Sequence, residues 1–119
     1  MVNSATFNDI QKQKVIKEQY DKIYAHELAH KMAGGSLAGS IVIENNAQGI
    51  PVAGHVDIKM PALNNKNPKQ TISDAKTVIN SAMAPSDPSQ QDYKVANEAR
   101  ILLNKAQEIE KENGLNYLA

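Results

Sequence analysis

The segment His26-Glu27-Leu28-Ala29-His30 sets two imidazoles four residues apart with a carboxylate beside the first. On a helix, residues i and i+4 lie one above the other, so both rings can reach one tetrahedral Zn²⁺ at about 2.0–2.1 Å. Glu27 lies about 100° round the helix from His26. It is poorly turned to ligate the same ion but near enough to take a proton from a water that the metal polarises. The pattern therefore points to zinc-dependent hydrolysis, with His26 and His30 as metal ligands and Glu27 as the base.

The chain contains no cysteine, so a third protein ligand must be a histidine or a carboxylate. His55, the remaining histidine, is the leading candidate. Asp57, Glu44 and Glu98 compete with it, Glu98 because a carboxylate from a later helix is a common way to complete such a site. The compact variant with a glycine and a further histidine after the motif is excluded, since Ala33 and Ser36 occupy those positions.

The motif needs a helix, a neighbouring wall and a closing layer. Thr6 with Asp9 reads as a capping pair for a helix that ends at Gly34-Gly35, with Ile16, Tyr20, Ile23, Glu27 and His30 on one stripe. Residues 40–58 read as a β-hairpin, with strands 40–44 and 50–58 about the turn at 45–49. Alternation puts Ile50, Val52, Val56 and Ile58 on the apolar face and Ala53, His55 and Asp57 on the other, with Gly54 as a possible bulge. Residues 61–70 read as a loop. Thr71 with Asp74 reads as the cap of a helix over 72–83, with Ala75, Val78, Ile79, Ala82 and Met83 apolar. Asp87 then caps a last helix over 88–113 with Pro88 at its first position, its buried stripe being Val95, Ala99, Leu102, Ala106 and Ile109. The fold class expected is α+β, a single zincin-like domain over 1–119: the HExxH helix at 6–33, the hairpin at 40–58 and two C-terminal helices.

Thirteen Lys plus Arg balance thirteen Asp plus Glu, and no stretch is basic enough to follow a phosphate backbone, so nucleic acid is not an expected partner. No apolar run approaches the length of a membrane span, and residues 1–10 lack the basic-then-apolar order of an export signal. The expectation is a protein without a membrane, in the cytoplasm. One Phe, four Tyr and no Trp leave the core to aliphatic and small side chains, which implies modest stability that a bound metal would raise.

Three blocks together resemble the SprA-related family of bacterial proteins. They are Ala25-His-Glu-Leu-Ala-His-Lys-Met-Ala-Gly-Gly35, the hairpin ending Gly54-His-Val-Asp-Ile58, and Ala84-Pro-Ser-Asp-Pro-Ser-Gln-Gln-Asp92 leading into Val95-Ala96. The resemblance covers about residues 20 to 105 and implies a zinc metalloprotease. The family's second strand reads Gly-Glu-Val-x-Ile-Asp, so its Glu falls on His55 and its final Asp on Lys59. Exchange of one metal-binding side chain for another favours His55 as the third ligand.

The function implied is a metallopeptidase acting on a peptide or protein substrate: Zn²⁺ on His26, His30 and His55, Glu27 as base, and Tyr24 or Tyr93 assisting at the oxyanion. The competing class is a non-catalytic binding module stapled by zinc, in which four ligands would leave no open position.

Overall fold

The computed structural model describes residues 6–118, and of residues 115–118 the backbone alone. Its elements run α1 (Phe7–Gly34), a short 3₁₀ turn (Gly35–Leu37), β1 (Ala38–Asn45), β2 (Pro51–Ile58), α2 (Pro68–Ala82) and α3 (Gln90–Leu118). The architecture is α+β, a long helix followed by an antiparallel hairpin and two further helices, as the sequence implies.

The start of α1 is the capping box expected: Asp9 N–H donates to Thr6 Oγ1 (3.1 Å) and Thr6 N–H donates to Asp9 Oδ2 (3.0 Å). Burial grows along the helix. Phe7 is 73% exposed, whereas Glu27 and His30 are each 5% exposed, so the packed part of the stripe begins near Ile23. Gly35, with φ +53°, takes a conformation that L side chains resist and turns the chain towards β1.

In the hairpin, Asn46 Oδ1 accepts from Gln48 N–H and Ile50 N–H, and Gly49 adopts φ +76°. This local bonding closes the turn. The bulge lies elsewhere than at Gly54, which pairs in register with Ile43. The register slips instead between Ala38 and Ile41 and at Val52, where Glu44 opposes Ala53 and Asn45 opposes Pro51. That slip explains why Val52, expected on the apolar face, is exposed.

Both C-terminal helices start elsewhere than the sequence reading put them. Pro68, at the first turn, begins α2 four residues early, and the last helix runs on through Gly114 to Leu118. Thr71 is therefore inside α2, where its hydroxyl donates to Ala62 O (3.1 Å) and accepts from Asn64 N–H (2.9 Å), pinning the preceding loop. At α3 the capping role expected of Asp87 belongs to Ser89, whose Oγ accepts from Asp92 N–H (3.1 Å) while Ser89 N–H donates to Asp92 Oδ2 (2.8 Å).

α2 and α3 pack closely because the side chains between them are small: Ala75, Val78 and Ala82 meet Ala96, Ala99 and Ala106, all essentially buried. α1 packs on α2 and on both strands, and shares little close packing with α3. Among the described residues no helix is long and apolar enough to cross a membrane.

Two glycines test this packing with opposite signs. A Cβ on Gly34 would lie 2.9 Å from both Ala38 Cβ and Ser81 Oγ, whereas one on Gly114 would meet nothing within 4 Å. Gly34→Ala should therefore cost about 1–3 kcal/mol of stability. Gly114→Ala should gain up to about 1 kcal/mol, as in any open helical position. Thermal or denaturant unfolding of the two variants reads both signs.

Candidate metal centre

The second half of α1 delivers His26, Glu27 and His30 to a cleft of about 740 Å³. β2 forms one wall of that cleft and the start of α3 another. β2 can lie this close to α1 because Gly54 has no side chain: a Cβ there would be 2.5 Å from Ile23 Cγ2 and 3.0 Å from Glu27 Cγ. The strand thus covers Glu27 with backbone.

Each imidazole is held by its Nδ1. His30 Nδ1–H donates to the carbonyl oxygen of Ser81 on α2 at 2.7 Å, and Ser81 Oγ–H donates back to His30 O at 2.6 Å. His26 Nδ1 faces Asp87 Oδ1 at 3.0 Å. A carbonyl and a carboxylate only accept, so both Nδ1 atoms carry a hydrogen, and a ring in its neutral form presents its lone pair at Nε2. Those two Nε2 atoms face each other at 3.2 Å. Ligand atoms of His26, Glu27 and His30 all lie within 4.8 Å of one another, a grouping able to hold a metal ion.

Asp92, which the sequence reading did not single out, closes the group. Its Oδ2 is 3.2 Å from His26 Nε2 and its Oδ1 is 3.2 Å from His30 Nε2, with the side chain 14% exposed. Glu27 Oε1 is farther out, 4.0 Å from His30 Nε2. A signal for Asp92 was present: it ends the third block of the resemblance, and it is the acidic member of a Ser-x-x-Asp cap.

His55 is not brought into this group. Gly54 points at α1, so alternation turns the neighbouring His55 away, and its half-exposed ring has Nδ1 3.8 Å from Glu44 Oε1 on the paired strand. It lines the cleft without joining the cluster, as does Asp57. Glu98 is exposed on α3, and Tyr24 and Tyr93 are largely exposed and do not line the cleft.

The electrostatics follow from burial and from the facing acids. Burial raises the Glu27 pKa, against the lowering effect of His30 and His26. For His26, burial lowers the pKa, but the hydrogen bond to Asp87 and the charges of Glu27, Asp92 and Asp87 outweigh it, and the net shift is upward. The same hydrogen bond holds Asp87 below the ordinary carboxylate value.

Residues 3–116 match the model of the SprA-related family. No curated protein and no solved structure matches the chain.

The His26–Asp87 contact has a measurable consequence in metal-free protein. A pKa raised in the folded state means stability that is present at acid pH and is lost as pH rises through the folded value. Asp87→Asn should move the His26 pKa down, read by NMR titration of the ring in the presence of chelator. An unchanged titration would show that the two side chains do not interact.

Proposed function

This chain belongs to the SprA-related family, and we propose that it is a zinc-dependent metallopeptidase. The observation that supports this most is the facing pair of Nε2 atoms, 3.2 Å apart, beside a buried carboxylate in an open cleft. Two lone pairs directed at each other repel unless a cation lies between them, and imidazole nitrogen is a ligand zinc accepts readily.

Bound by His26 and His30, zinc would supply a Lewis acid for the scissile carbonyl and would lower the pKa of a water. Glu27 supplies the proton transfer. With its pKa raised by burial it is a stronger base than a solvated carboxylate, and Oε1 lies one water's reach beyond His30 Nε2. It takes the proton of the attacking water as the C–O bond forms, then returns it to the leaving nitrogen as the C–N bond breaks. The substrate is a peptide or protein segment laid in extended form along β2, which among the described residues pairs with β1 on one edge only and lines the cleft.

Glu27→Gln is the discriminating variant, since it keeps the side chain's shape and removes its basicity. Incubated with a diverse peptide library containing zinc, wild type should cleave and Glu27→Gln should be slower by about 10²–10⁴-fold. Cleavage at the wild-type rate by the variant would falsify Glu27 as the base. If zinc binds to both proteins and neither cleaves any peptide, the non-catalytic zinc module becomes the better reading.

A further inference from the structure

We infer that Asp92 is the third protein ligand of the metal, and that the metal thereby fastens α1 to the start of α3. This rests on the reading of His26 and His30 as metal ligands.

Around a tetrahedral ion with bonds of about 2.0–2.1 Å, neighbouring ligand atoms are separated by roughly 3.3 Å. The three separations here are 3.2 Å between the imidazole nitrogens and 3.2 Å from each of them to an oxygen of Asp92. The two imidazole nitrogens thus stand one tetrahedral edge apart, and each meets its own oxygen of the same carboxylate at that spacing, Oδ2 at His26 and Oδ1 at His30. In the neutral rings, with the Nδ1 hydrogens committed to Ser81 O and Asp87, both Nε2 atoms offer lone pairs towards the Asp92 carboxylate. Two imidazole lone pairs and a carboxylate brought together in this way are reconciled by a positive charge among them, and a metal ion is one that all three groups can ligate.

The rivals fit less well. Glu27, at 4.0 Å from His30 Nε2, stands beyond that spacing, at a distance suited to a proton acceptor. His55 faces away from α1 and is half exposed. Asp92 is also braced as ligating carboxylates usually are, since Ser89 N–H donates to its Oδ2. The arrangement leaves the fourth position for the cleft, so the same three ligands serve the catalytic reading.

A ligand on α3 gives the metal a second task. α1 and α3 share little close packing, and the path between them runs through α2. His26 and His30 on one side and Asp92 on the other make the ion a direct joint between helices that otherwise barely meet.

The test is zinc affinity of the full chain by chelator competition, for wild type, His26→Ala, Asp92→Asn and His55→Ala. Asparagine can still accept the Ser89 N–H, so Asp92→Asn keeps the cap of α3, and its circular dichroism should equal that of metal-free wild type. Expected are one zinc per chain in wild type and in His55→Ala, and affinity reduced by more than about 100-fold in Asp92→Asn, beyond the effect of losing an outer partner. Zinc should also raise the wild-type thermal midpoint and leave that of Asp92→Asn nearly unmoved. Wild-type affinity in Asp92→Asn, with binding lost in His26→Ala, would overturn the assignment of Asp92 and leave the metal reading standing. Weakened binding in His55→Ala with Asp92→Asn unaffected would transfer the third position to His55. No zinc bound by wild type would overturn both readings, leaving a cluster held by a shared proton.

Discussion

The reciprocal pair of hydrogen bonds between His30 and Ser81 is the constraint on which the site depends. Imidazole Nδ1–H to Ser81 O and Ser81 Oγ–H to His30 O fix side chain to backbone in both directions, across 51 residues of sequence and in a buried setting. Each buried hydrogen bond of this kind contributes about 1 kcal/mol net, but leaving either partner unmatched costs more. The pair therefore sets the position of α2 against α1 far more sharply than apolar contact would. It also selects the tautomer of His30, so a packing interaction decides which nitrogen faces the cleft.

Everything beyond α2 inherits that position. α3 is laid along α2 by a run of alanines and Val78, and with such small side chains the two backbones come close with little room to slide. The placing of Asp92 opposite α1 is thus the sum of two contacts, one polar and one apolar. Gly34 belongs to the same joint, since a side chain there would strike Ser81 Oγ. The helix carrying the motif must end on a residue without a Cβ for its last histidine to reach α2.

The sequence made the helix of the motif, its cap, its glycine stop and the hairpin legible, because each follows from local spacing. Glu27 and both motif histidines were legible for the same reason. His55 and Asp92 were harder, because their roles depend on which faces meet. Alternation correctly put His55 on the face opposite Val56, but it carried no information on which face of β2 lies against α1. Gly54 decides this: the position without a side chain approaches Ile23 and Glu27, and it shares a face with Val56. α3 starts two residues later than the spacing implies, because Ser89 and not Asp87 caps it, which frees Asp87 to meet His26.

The segment from Asp87 to Asp92 acts on His26 as a unit. Pro85 is buried and Pro88 lies between Asp87 and Ser89, so the chain enters α3 with few conformations open to it. Ser89 and Asp92 then close the first turn on each other. The result is that one short stretch meets both nitrogens of His26: Asp87 at Nδ1 and Asp92 at Nε2. These two contacts differ in kind. Asp87 is exposed and accepts from Nδ1–H, which orients the ring, while Asp92 is largely buried and faces Nε2 on the side where His30 also stands. A surface ion pair would have satisfied His26 with one acid. Two acids on opposite sides of a single ring hold it from both nitrogens, one orienting it at Nδ1 and one closing the cluster between it and His30.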